Sequence, residues 1–174
     1  MNLRKRAIVW VRVMADRDIE GIEMATKLEA NVVVNRPIEH VFAFLAAPEN
    51  HTKFVPGLLE FKQTSPGPLW QVGAQIQGVR RLLGRRTSIR YELAEYEPNK
   101  KLGLMAFMGP SRFKGTYLLD PVRDATKVTF SLEFEIRGLM RLAQRFLVRM
   151  GKTSGTESLD NLKRMLENVG TSAR

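Results

Sequence analysis

GLMRLAQRFLVRMGKTSGTESLDNLKRMLENV, residues 138–169, decides how the rest of this chain is arranged. Projected at about 100° per residue, it carries one apolar stripe of Val148, Gly151, Gly155, Leu159, Leu162, Leu166 and Val169, with the spacing by threes and fours that a buried helix face requires. The spacing predicts one long helix. Two glycines stand in that stripe where Leu is expected, and each costs about 1 kcal/mol relative to Ala in a helix interior. Either they kink or split the helix, or they thin its wall over a cavity. A second apolar stripe, Leu139, Leu142, Phe146 and Met150, points away from the first and lies among Arg141, Arg145 and Arg149. Two apolar faces on one helix imply a contact, for which the N-terminal segment, a homodimer partner and an anionic membrane surface are the candidates.

Upstream, the helical period disappears and strands are expected at Leu58–Thr64, Ala74–Leu82, Arg86–Glu97, Lys101–Phe107, Arg112–Leu119 and Lys127–Ile136. Turn residues join them, in Ser65-Pro66-Gly67-Pro68, Leu83-Gly84-Arg85, Glu97-Pro98-Asn99, Met108-Gly109-Pro110 and Asp120 to Asp124. Joins this short make antiparallel neighbours. Alternation is cleanest in the last strand, with Val128, Phe130, Leu132, Phe134 and Ile136 on one face, so one side of the sheet is covered and the other wet. The same alternation puts Ile89, Tyr91 and Leu93, then Phe113, Gly115, Tyr117 and Leu119, on the covered side, and Arg112 on the wet one. Before these strands come a β-rich Leu28–Val34, a helix opened by Pro37 with Val41, Phe42 and Leu45 on one face, a break at Ala47-Pro48-Glu49-Asn50, and a short turn reaching Phe54 and Pro56.

The 174 residues suit one domain, placed at 25–169, with a basic extension over 1–24 outside the core and a tail over 170–174. Met24 stands directly before the domain pattern, so the extension is expected to be dispensable for folding, an upstream start codon being one reading of it. Arg12 interrupts the apolar run Ala7–Val11, too early for a secretory signal. Cysteine is absent, which excludes disulfides, thiolate metal sites and thiol nucleophiles and fits a cytoplasmic location. With His40 and His51 as the only histidines, no metal and no cofactor are expected. The formal charge of +10 points to an anionic partner. Basic residues gather at Arg4–Arg6, at Arg80, Arg81, Arg85 and Arg86, and at Arg137–Arg149. No aromatic residue interleaves with the run from Arg80 to Arg86, so a solvated hairpin tip is favoured there over nucleic acid.

Several local patterns carry a resemblance: Arg36-Pro37-Ile38-Glu39-His40-Val41-Phe42, Pro48-Glu49-Asn50-His51 with Pro56-Gly57, Glu95-Tyr96-Glu97-Pro98, Asp120-Pro121 with Thr126-Lys127-Val128, and Leu159-Asp160-Asn161-Leu162-Lys163 with Leu166-Glu167. In this order, from Ala25 to Glu167, the chain resembles the START-like (SRPBCC) helix-grip superfamily, in its bacterial polyketide cyclase/dehydrase-like branch. The resemblance implies an α+β helix-grip fold, a curved antiparallel sheet of six or seven strands wrapped around a long C-terminal helix. It also implies an apolar or amphipathic ligand held between the two, with catalysis in only some members.

Read residue by residue, the site candidates are Tyr91, Tyr117, Phe130 and Phe134 on the covered sheet face and Gly151 and Gly155 opposite them. A phenol can hydrogen-bond a ligand carbonyl, although buried tyrosines are also ordinary core residues. His51, in a polar turn, is a candidate acid or base, but no carboxylate that would orient it is identifiable, and an exposed or capping role is expected. Glu157 and Asp160 read as a solvated face. Gly151-Lys152-Thr153 lacks the first glycine of a phosphate loop, the position being Phe146. Catalytic residues stay unassigned. The expected function is binding of a small hydrophobic or amphipathic ligand such as a lipid, quinone or polyketide-like molecule. A cyclase or dehydratase is the alternative, and an RNA-, ribosome- or membrane-associated partner protein the third class.

Overall fold

The computed structural model describes residues 26–68, 70–135, 142 and 144–168. The expectations for residues 1–24, Ile136, Leu139, Val169 and 170–174 lie outside the described residues.

Strand β1 (Thr26–Val34) ends at Asn35-Arg36, and Pro37 caps α1 (Ile38–Leu45), which buries Val41, Phe42 and Leu45. Helix α1 ends ahead of Ala47-Pro48, at the expected break, and the stretch expected as a short turn reaching Phe54 is helical. It is a second helix, α2 (Pro48–Phe54), because Pro48 stands in the first turn, where a missing N–H costs no helical hydrogen bond. The chain then runs through β2 (Leu58–Gln63), β3 (Gln75–Leu82), β4 (Arg85–Glu97), β5 (Lys101–Met108), β6 (Ser111–Val122) and β7 (Ala125–Glu135). Strand β6 continues through Asp120 and Pro121, which pair with Lys127 and Thr126, so the turn expected over Asp120–Asp124 shrinks to Arg123-Asp124.

The seven strands form one antiparallel sheet in the order β1-β7-β6-β5-β4-β3-β2. The α1–α2 unit carries the chain from one edge to the other. Register shifts at Leu58/Glu60 and Leu93/Glu95 add local twist that helps curve the sheet. Cross-strand partners on the concave face are Phe134 with Phe113, Phe130 with Tyr117, and Ile76 with Tyr91. They sit at the positions that period-two alternation assigns to that face.

Helix α3 (Gln144–Asn168) is continuous through both glycines. Its C-terminal half buries Leu159, Leu162 and Leu166 in the main core, with α1, α2 and the ends of β1, β6 and β7. Its other half packs Leu147 and Val148 beside Leu28 and Phe134. The helix is pinned at its C-terminal end by Arg36, whose Nε donates to Leu166 O at 3.0 Å and whose Nη2 donates to Glu167 O at 3.2 Å. A cation on carbonyls at the negative end of a helix is favourable. The Asn35 backbone N–H donates to Glu167 Oε1, and Thr126 Oγ1 donates to Arg36 O at 2.8 Å. Three separate stretches that carried the family resemblance therefore meet at one end of the helix.

Candidate ligand cavity

Because α3 rests on β1, β7 and α2, it stands off the middle strands. The space left between them is a cavity of about 600 Å³, the size of sites that take drug-sized molecules. Small residues on the concave face, Ala106 and Gly115, lower its floor, while Ile89, Leu104, Phe113 and Leu132 make the wall apolar. All six residues singled out from the sequence, Tyr91, Tyr117, Phe130, Phe134, Gly151 and Gly155, border this space. The two glycines also serve close packing. A Cβ at Gly151 would lie 2.8 Å from Phe134 Cζ, and one at Gly155 would lie 3.2 Å from Phe130 Cδ1. The absent side chains let the helix come down onto those two rings, and the rings in turn shape the cavity wall.

Polar groups are few, and they converge. Arg80 is an inward residue of β3, on the face shared by Ile76 and Gly78, and not part of a solvated hairpin tip. The strand's alternation outranks its membership in a run of arginines. Arg80 Nη2 donates to Pro56 O at 3.0 Å and to Ser154 Oγ at 3.4 Å, both neutral acceptors. Its Nε is buried without a partner among the described residues. A buried donor of a cation left unpaired is costly unless something else fills the place. Burial pushes the Tyr91 phenol up from its ordinary pKa, opposed by the charge of the Arg80 guanidinium and by its hydrogen-bonding approach to the phenol, although no acceptor stands in good geometry for Nε itself. Burial also raises Tyr117, and Arg80 again opposes. One guanidinium thus acts on both phenols. Gly78 holds the arrangement together, since a Cβ there would lie 2.5 Å from the Tyr91 ring.

His51 borders the same cavity and is buried, only 2% exposed, against the expectation of an exposed or capping residue. Its ring stacks on Phe61 at 4.8 Å, and Phe61 meets Tyr91 edge-on at 5.4 Å. His51 Nε2 lies 2.7 Å from Leu45 O. A carbonyl only accepts, so this nitrogen carries the proton and Nδ1 keeps its lone pair. Burial lowers the pKa to about 4, overcoming the Leu45 hydrogen bond and the charge of Glu49, so the ring is neutral at pH 7. Arg112 is exposed, as alternation requires. Glu157 is exposed as well, but it reaches the edge of the cavity, while Asp160 does not line it. Among the described residues no group of three or more His, Asp and Glu is placed to hold a metal ion, and no helix is long and apolar enough to cross a membrane.

Residues 25–167 match the family described as "Polyketide cyclase / dehydrase and lipid transport". The chain belongs to that family. Solved structures of the same fold include the Zhui aromatase/cyclase of a Streptomyces species, with TM-score 0.74 and 13% identity over 86% of this chain and 98% of that one. A Thermus thermophilus protein superposes with TM-score 0.69 at 14% identity, covering 83% of this chain and 99% of its own. The di-domain ARO/CYC StfQ from the steffimycin biosynthetic pathway superposes with TM-score 0.71 at 13% identity, this chain covering 52% of it. At such identities the likeness is one of fold. None of the curated protein sequences matches the chain.

Proposed function

We propose that this family member binds a largely apolar molecule carrying one oxygen-rich end, with the apolar body along Ile89, Leu104, Phe130 and Leu132 and the oxygen on Arg80 between Tyr91 and Tyr117. The observation that carries this reading is the buried Nε of Arg80, which has no hydrogen-bond partner among the described residues, at the wall of a cavity of about 600 Å³. A ligand carbonyl, enolate or carboxylate oxygen would satisfy that donor, and a charge-assisted bond of this kind fixes orientation as well as adding affinity. The test is native mass spectrometry of the purified chain together with binding of an aromatic ketone and its deoxy analogue. Selectivity for the ketone in the wild type, lost in Arg80→Met, supports the reading. Equal binding of the two compounds by both proteins overturns it.

Cyclisation is the second reading, favoured by the same guanidinium, because a cation beside two phenols can stabilise the enolate formed when a poly-ketone closes a ring. His51 is a weak base at a pKa of about 4, which places binding ahead of catalysis. Turnover of an aromatic poly-ketone that disappears in Arg80→Met would reverse that order.

A further inference from the structure

The cavity opens to solvent through a rim that combines arginines with large apolar side chains. Among its lining residues Gly57, Arg81, Phe146, Arg149, Thr153 and Glu157 are exposed, which places the opening between the start of β2, the end of β3 and the first half of α3, with Glu157 as its single carboxylate. Beside it, Leu83 is 83% exposed in the β3–β4 turn, Leu142 is 89% exposed just before α3, and Phe146 is 51% exposed. Arg81, Arg85, Arg145 and Arg149 are exposed in the same two segments. Among the described residues none of these four is ion-paired to a carboxylate.

We propose that this rim docks on the surface of an anionic phospholipid bilayer. Leu83, Leu142 and Phe146 enter the boundary between headgroups and acyl chains, and the four arginines lie on lipid phosphates. Charge complementarity selects this partner over a second copy of the chain, because a two-fold interface through the rim would press the same arginines against each other. Exposed leucines beside the arginines suit acyl chains and do nothing for a phosphate backbone. The apolar surface also continues inward without a break in kind, through Leu82, Met108, Leu147 and Met150, all of which line the cavity. An amphipathic ligand would therefore pass from bilayer to cavity without crossing water. Docking stands apart from the identity of that ligand, and a vesicle assay without added ligand reads it alone.

The experiment is co-sedimentation of the full chain with vesicles of phosphatidylcholine, and with vesicles of phosphatidylcholine mixed with phosphatidylglycerol. The expected result is retention by the anionic vesicles only, reversed by salt. Arg145→Gln and Arg149→Gln should each weaken it about fivefold, the worth of one arginine near such a surface. Arg112→Gln, on the opposite face of the sheet, should leave it unchanged. Leu83→Asp with Phe146→Asp should abolish retention at an unchanged melting temperature, and Leu142→Ser, at a site with no core contact to lose, supplies the same reading if that pair fails to fold. The proposal is overturned if anionic vesicles do not retain the protein at low salt, or if Arg112→Gln weakens binding as much as Arg149→Gln. It is also overturned if the apolar variants bind as wild type, or if they change the molecular mass in light scattering while vesicle binding persists.

Discussion

Replacing Gly151 and Gly155 by alanine, one at a time, should move stability in different directions although the two substitutions are chemically identical. Each gains about 1 kcal/mol of helix propensity. At Gly151 the new Cβ would lie 2.8 Å from Phe134 Cζ and 3.1 Å from Leu132 Cδ2. Carbon atoms prefer about 3.5–4.0 Å, so the Phe134 ring must retreat by roughly 0.7 Å. That ring is buried, packed beside Leu28 and edge-on to Phe113 at 5.6 Å, and such overpacking costs about 1–3 kcal/mol. The net expectation is a loss of up to about 2 kcal/mol. At Gly155 the nearest atoms are Phe130 Cδ1 and Cε1 at 3.2 and 3.3 Å. Phe130 is only half-buried and borders the cavity, so a shift of a few tenths of an ångström is open to it. Gly155→Ala should therefore be neutral or stabilising by up to about 1 kcal/mol. Urea unfolding at constant m-value reads the difference as a separation of midpoints. Gly151→Ala as stable as Gly155→Ala, or more so, would refute the packing argument. Gly155→Leu goes beyond what Phe130 can yield, and should cost about 1–3 kcal/mol and shrink the cavity.

Acid should destabilise the fold through His51. Its folded pKa of about 4 lies below the unfolded value of 6.5, so the unfolded chain binds the extra proton first. Stability is complete above pH 6.5 and falls by about 3 kcal/mol as pH drops to 4. His51→Gln should flatten that part of the stability curve, and an unchanged slope would show that other groups govern it. Arg36→Ala removes two charge-assisted bonds to the last carbonyls of α3 and should cost about 1–3 kcal/mol in thermal or urea unfolding. A neutral result would mean water replaces the guanidinium at no cost. Gly78→Ala puts a Cβ 2.5 Å from the Tyr91 ring, so near-ultraviolet circular dichroism should report a displaced tyrosine; an identical spectrum would show that the strand itself gives way.

Where local pattern decides structure, the fold is legible in the sequence. The period-two run from Val128 to Phe134 and the three-and-four spacing of Leu159, Leu162 and Leu166 place β7 and α3 and say which face of each is covered. The four aromatic residues at the cavity follow from the strand alternation and the two glycines from the helix spacing. Residues whose surroundings come from distant chain were misread. His51 follows a proline in a polar stretch, and what buries it is Phe61, on a strand beyond the next turn. Arg80 sits in a charge run that suggests solvent, yet it is two residues past Gly78 on a strand whose inward positions were already identifiable from Ile76. That parity signal was present and was outweighed by composition. Pro48 marks the end of α1, as its place in Ala47-Pro48-Glu49-Asn50 implies, and it also opens α2, because a proline both follows helices and begins them.

The Arg36 clamp joins positions 131 residues apart, and the strand that precedes Arg36 pairs only with β7, the last one made. During synthesis β1 therefore leaves the ribosome without its strand partner and waits until β7 has been made, whereas α1 can already pack on α2. Contacts of such separation pay their loop-closure entropy before they return any stabilisation, which slows folding. The cavity is consequently the last feature to exist. It has no floor until β4, β5 and β6 have paired, and no roof until α3 has emerged to be gripped at its far end. Any molecule this protein carries is met only once α3 is in place.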